Sequence, residues 1–160
     1  MDDKLPDLCD HYPDEAQWVP IQWRDYGAVN TFEGRVRTVR CYHDNSKVKA
    51  LLATPGDGQV LVVDGSGAMD RALLGDLIGQ SAVDNGWAGI VIAGPVRDVA
   101  TLATLPVGIK ALGVCPIKTQ KRDQGDVDVS ITLEGVTMTA GMYLYADLNG
   151  VVVCANPLSA

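Results

Sequence analysis

Apolar residues recur at spacings of three and four over residues 4–12, where Leu5, Leu8, Cys9 and Tyr12 fall on one side. This predicts a short amphipathic helix ended by Pro13. Beyond a loop holding Trp18, residues 21–23 read as extended and residues 27–30 as a turn. Over residues 32–42 apolar and polar positions alternate, the period of a half-buried strand with Phe32 and Val36 inward. Asp44, Asn45 and Ser46 offer helix caps before the short apolar face of Val48, Leu51 and Leu52, and Pro55-Gly56-Asp57-Gly58 closes that helix. Val60-Leu61-Val62-Val63 has no alternation, as expected of a strand covered on both faces. It stops at Asp64-Gly65-Ser66-Gly67, which reads either as a tight turn or as a backbone cradle for a ligand. The glycines match neither a Walker loop nor a dinucleotide fingerprint.

Residues 69–87 read as helical, with Leu73, Leu74, Leu77, Ile78, Ala82 and Val83 on the apolar side. Gly75 and Gly79 weaken that helix, and a break at Gly75 would create a new helix start with free amides at residues 76–78. Residues 89–93 form a second buried strand, followed by a Gly94-Pro95 turn and a short helix over 99–105. Residues 107–114 and 116–119 look extended, and the charged stretch 120–128 reads as a surface loop. Alternation on both sides of Glu134-Gly135 predicts a hairpin, and Asp147-Leu148-Asn149-Gly150 turns into a last buried strand, Val151-Val152-Val153. A strand–helix–strand–helix centre flanked by antiparallel strands predicts one α/β domain over residues 1–160. Its architecture is three-layered, with a central, partly parallel sheet and a second β layer. Ligands of such sheets lie beyond the C-terminal strand ends, where residues 64–65 and 94–98 fall.

Composition narrows the function classes. Net charge is −7 with a pI near 4.6, which argues against non-specific nucleic-acid binding. Arg35, Arg37 and Arg40 share one strand and read as a solvated face rather than a basic patch. Cys9, Cys41, Cys115 and Cys154 lie far apart without a C-x-x-C pair, so they are expected to be reduced thiols and not zinc ligands. With only His11 and His43 present, any metal should have oxygen ligands, favouring Mg or Mn. There is no secretory pattern and no apolar run near the roughly 18 residues of a membrane span, so a cytoplasmic protein without membrane contact is expected.

Candidate chemistry concentrates in residues 75–98, where Asp76 is followed, after twenty intervening residues, by Arg97-Asp98. A helix then a strand brings the chain back to the edge it left, so both ends can share a pocket. Taken alone, Asp98 also reads as the N-cap of the following helix, and Arg97 as an ion-pair residue. Together the residues suit a small 2-oxo acid. A guanidinium holds a carboxylate through two hydrogen bonds and stabilises an enolate oxygen. Asp98 can hold a hard divalent cation, directly or through water, that polarises the 2-oxo group. Amides at Gly75, Asp76, Leu77 and Ile78 can receive a carboxylate at the helix start, and Asp76 can orient water or move a proton.

The segments LCDHY, VLVVDGSG, RALLGDLI, NGWAGIVIAGPVRD, GIKALGV and YLYADLNGVVV carry a resemblance over nearly the whole chain. It resembles the family of the regulator of ribonuclease activity A and the metal-dependent 4-hydroxy-4-methyl-2-oxoglutarate aldolases. The resemblance implies a swivelling β/β/α three-layer domain in a ring-shaped homotrimer, with sites near subunit contacts. If a neighbouring subunit completes the pocket, residues 120–128 are a candidate contributing loop. Asp76, Arg97 and Asp98 match the aldolase pattern, an acidic residue, twenty residues, then Arg-Asp. Through this likeness Gly75, Asp76, Leu77, Ile78 and Arg97 bind the pyruvyl part, and Asp98 serves the metal. The implied reaction cleaves 4-hydroxy-4-methyl-2-oxoglutarate to two pyruvates, with oxaloacetate decarboxylase side activity through the pyruvate enolate. LCDHY and YLYADLNG are as similar to the regulators, so the same resemblance also implies a protein-binding inhibitor of ribonuclease E.

Overall fold

A computed structural model describes residues 3–159. The first helix, α1 (Lys4–His11), ends before Pro13 as the spacing predicts and buries Leu5 and Leu8. Two-residue strands β1 (Gln17–Trp18) and β2 (Arg24–Asp25) follow, so residues 21–23, expected to be extended, precede the strand instead of forming it. The half-buried β3 (Phe32–Arg40) leads to α2 (Ser46–Leu52) and to β4 (Val60–Asp64), apolar up to its last residue. Next come α3 (Asp76–Asp84), β5 (Gly89–Val96), α4 (Val99–Leu102) and β6 (Gly108–Val114). The chain closes with β7 (Asp126–Val127), the hairpin β8 (Ile131–Leu133) and β9 (Val136–Met138), then β10 (Tyr143–Asp147) and β11 (Gly150–Cys154).

Strands β3, β4, β5 and β6 are parallel neighbours, with β2 antiparallel on β6 and the order β1-β11-β10-β3 continuing the other way. Both faces of the parallel strands are covered, which explains their unbroken apolar runs. Leu61, Val63, Ile90 and Ile92 face α2, α3 and α4. Val60, Val62, Val91 and Ala93 face the β8–β9 hairpin and apolar residues of β10 and β11. The layer order is therefore β, β, α, as expected. Helix α1 packs separately against Tyr145 and Val152.

Two features of β5 bear on the site. The expected Gly94-Pro95 turn is absent. The strand runs on to Val96, and an irregularity between Ile92 and Pro95 in its pairing with β6 accommodates a proline inside a sheet. The helix expected over 69–87 begins only at Asp76, with Gly75 as its N-terminal flanking residue. Leu73 and Leu74 are buried ahead of it, whereas Leu77, placed on the apolar side by periodicity, is 81% exposed.

Two of the three strand arginines pair with carboxylates, while Arg35 Nη1 donates to the Gly141 carbonyl. Arg37 forms a two-pronged bond to Asp128, and Arg40 pairs with Asp126, both in the charged stretch. All four cysteines are free, and burial pushes the Cys41 thiol up to about 12, with Asp44 and Asp64 adding to the effect. Among the described residues no helix is long and apolar enough to cross a membrane.

Candidate functional site

The two ends of residues 75–98 meet because the segment before α3 hydrogen-bonds to the overhanging end of β5. The Leu73 amide donates to the Pro95 carbonyl and the Arg97 amide to the Leu74 carbonyl, each at 2.9 Å. These rungs bring Gly75 against Arg97 and Asp98. A Cβ on Gly75 would lie 2.7 Å from Asp98 Oδ2 and 3.4 Å from Arg97 Nε, so the approach depends on the missing side chain. The backbone of Gly75 is extended (φ −132°), and the requirement is one of space rather than of conformation.

Asp98 does not cap its own helix. It adopts φ 57°, ψ 40°, a left-handed conformation that aspartate tolerates better than most residues, and makes no cap bond to α4. Its Oδ2 instead accepts the Asp76 amide at 2.9 Å, capping α3 from a distant strand end. The Leu77 amide donates to the carboxylate of Asp76 itself, also at 2.9 Å. Of the four amides expected to meet a substrate carboxylate, two are thus held by carboxylates. Those of Gly75 and Ile78 have no hydrogen-bond partner among the described residues. Among the described residues Asp98 Oδ1 likewise accepts no hydrogen bond and the terminal nitrogens of Arg97 have no partner, with only Nε at 3.9 Å from Asp98 Oδ2.

Apart from Asp98, which lies just outside the lining, these groups border a concavity of ≈ 120 Å³ lined by Gly75, Asp76, Leu77, Ile78 and Arg97. Its other wall was not foreseen from the sequence: Asn45 and Lys49 beside and within α2, and Lys118, Thr119 and Lys121 after β6. Asn45 reads in sequence as a helix cap, but its side chain makes no cap bond. Buried, it donates to the Leu73 carbonyl at 3.0 Å and accepts the Thr119 hydroxyl at 2.7 Å, tying both walls together. Its neighbour Asp44 accepts the amides of Ser46, Arg122 and Gln124 and the Ser46 hydroxyl. Burial pushes the Asp44 carboxyl up, but these bonds outweigh it and bring it to about 2. The start of the 120–128 segment, considered for a neighbour's pocket, therefore lies on this chain's own. Asn45 and the lysines carried no motif; only the fold brings them to residues 75–78.

The other predicted cradle is a plain turn. The Gly65 amide donates to the Ala93 carbonyl, the Ser66 amide to Asp64 and the Ser66 hydroxyl to the Cys41 carbonyl. For a metal, no cluster of three or more His, Cys, Asp or Glu exists among the described residues. One open carboxylate oxygen, on Asp98, does not suit zinc, but it suits a Mg-type ion that keeps several waters and shares the substrate's oxygens.

A profile of the RraA-like family (Aldolase/RraA) matches residues 5–153. The chain belongs to the Aldolase/RraA family. A Xanthomonas campestris pv. campestris (strain 8004) relative, provisionally named 4-hydroxy-4-methyl-2-oxoglutarate aldolase, is 55% identical over 154 residues, 96% of this chain and 92% of its own. The RNA-processing inhibitor RraA from Thermus thermophilis superposes with a TM-score of 0.95 at 39% identity, covering 100% of this chain and 97% of that one. A Geobacillus kaustophilus HTA426 structure titled S-adenosylmethionine:2-dimethylmenaquinone methyltransferase gives 0.95 at 42% identity, covering 97% and 96%. The Aldolase/RraA fold thus holds throughout, while its members carry three different functional names.

Proposed function

We propose that this protein is a divalent-metal-dependent aldolase that cleaves 4-hydroxy-4-methyl-2-oxoglutarate to two pyruvates and decarboxylates oxaloacetate through the same enolate. One observation carries the reading: the open fork of Arg97, the free Oδ1 of Asp98 and the close approach at Gly75 converge at the C-terminal end of a parallel strand. Arg97 holds the pyruvyl carboxylate or the oxygen that becomes the enolate, with the Gly75 and Ile78 amides beside it. Asp98 Oδ1, with water and the substrate's oxygens, would hold a Mg or Mn ion. Bound there, the ion supplies positive charge to the 2-oxo group. A base takes the proton of the 4-hydroxyl and the C3–C4 bond breaks. One pyruvate leaves, and its electron pair passes to C3 of the other half as the enolate. Protonation at C3 gives the second pyruvate, and Asp76 is placed to handle that proton or its water. Exposed Met69, Val114 and Ile117 near the same sheet end support a subunit contact beside the site, as in the homotrimer that the family resemblance implies. The sulfonium of S-adenosylmethionine would meet Arg97 and three lysines, which disfavours the methyltransferase name for this chain.

The test is pyruvate release from 4-hydroxy-4-methyl-2-oxoglutarate with Mg or Mn. Turnover should stop with chelator and in Asp98→Asn, whose amide still accepts from the Asp76 amide and keeps α3 capped. Normal turnover by Asp98→Asn would refute the metal role. A second reading, inhibition of ribonuclease E by direct binding, draws on the 0.95 superposition with the Thermus inhibitor. Failure to retain a ribonuclease E scaffold at physiological salt counts against it.

A further inference from the structure

The sequence has six lysines in a chain of net charge −7. Three are matched to carboxylates: Lys4 to Glu33 at 2.7 Å, Lys47 to Asp123 at 2.8 Å and Lys110 to Asp25 at 2.8 Å. The other three, Lys49, Lys118 and Lys121, have no acidic partner within 4.0 Å among the described residues, and all three line the pocket beside Arg97. Chance does not favour that arrangement where acidic side chains outnumber basic ones 20 to 13. The one carboxylate in the lining, Asp76, is already held by the Leu77 amide. Four cationic side chains against Asp76 in the lining and Asp98 just outside it, 3.9 Å from Arg97 Nε, leave the small concavity net positive.

A monocarboxylate head group needs only Arg97 and the helix amides. The lysines come from the opposite wall, one from α2 and two from the segment after β6. That segment is fixed by the Thr119–Asn45 bond and the Asp44 clasp. They therefore face whatever extends beyond the 2-oxo acid. We propose that Lys49, Lys118 and Lys121 form the subsite for the second carboxylate of the substrate and set a preference for dicarboxylic over monocarboxylic 2-oxo acids. This rests on the aldolase reading for the head group and adds the residues that read the far end. In the cleavage, the same lysines hold the half that leaves as the first pyruvate.

The probes are 2-oxoglutarate and 2-oxopentanoate, acids of equal chain length that differ in the second carboxylate. Their binding is measured by calorimetry with Mg present. The wild-type protein should bind 2-oxoglutarate about tenfold or more tighter, a difference of about 1.4 kcal/mol or more. In the triple variant K49Q/K118Q/K121Q, 2-oxoglutarate should weaken to within about twofold of 2-oxopentanoate, whose own affinity should hold. The charge-keeping K49R/K118R/K121R should retain the preference. All three lysines are exposed, so the variants should fold, as circular dichroism checks. Equal binding of both acids by the wild-type protein, a preference that survives in the Gln variant, or equal loss of both acids overturns the proposal. Binding is read without turnover. Absence of pyruvate release with the preference intact would overturn the aldolase reading and leave the lysine subsite standing.

Discussion

At Gly75, Arg97 and Asp98 the account depends on single atoms. Arg97 makes no close ion pair, its Nε lying 3.9 Å from a half-exposed carboxylate, so it contributes little to folding. Arg97→Ala should therefore lower kcat/KM by on the order of 10²–10³, as for loss of one oxyanion donor, and leave the melting temperature nearly unchanged. A large thermal loss would make Arg97 structural instead. Gly75→Ala should act differently: its Cβ would meet Asp98 Oδ2 at 2.7 Å, displace the cap of α3 and lower activity and stability together, by about 1 kcal/mol in the latter. Asp44 gives a pH signature. Its carboxyl is lowered from 3.8 to about 2, so the ionised form favours the folded chain. That stabilisation, about 2 kcal/mol, is complete above roughly pH 4 and fades as pH falls through about 2. Asp44→Asn should be less stable than the wild type at neutral pH, and urea titrations should show its deficit shrinking toward pH 2. Asp76, Arg97 and Asp98 were legible as residue types with a spacing. That Asp98 caps α3 rather than α4 was not legible, because the donor lies 22 residues away.

Strands covered on both faces, β4 and β5, were read from their composition, and the β8–β9 hairpin from its alternation and its Glu134-Gly135 turn, both at positive φ. Strand β10 was not read. Its residues 144–147 are buried on both faces, so Tyr143-Leu144-Tyr145-Ala146-Asp147 has no alternation to detect. Its last residue is an aspartate buried for a non-local reason: Asp147 accepts the Leu5 amide at the start of α1 and the Asn149 amide in its own turn. Both α1 and α3 are thus capped by carboxylates from remote strand ends, which no local cap signal reveals. A sharper consequence lies in the sheet. Phe32, the one phenylalanine of the chain, lays its ring over Gly89 and Gly108, where added Cβ atoms would come within 2.3 and 2.1 Å of it. Gly108→Ala should cost about 1–3 kcal/mol by overpacking, read as a lower urea midpoint with unchanged slope. An unchanged midpoint would mean that the ring moves freely.

Over the whole molecule, the layers were legible in outline because strand–helix alternation with flanking antiparallel strands admits few topologies. The cationic wall of the pocket was not, since it depends on which lysines the fold leaves unmatched. An acidic protein thus presents a positive concavity at the C-terminal strand end, where Arg97, Asp98 and the α3 start meet. Enolate chemistry at that place is the central claim. The most direct measurement is pyruvate formation from oxaloacetate by the purified protein with Mg or Mn, corrected for decarboxylation by the metal alone. The account predicts turnover that disappears with chelator and in Arg97→Ala. No rate above the metal-only blank, or an equal rate in Arg97→Ala, would contradict it.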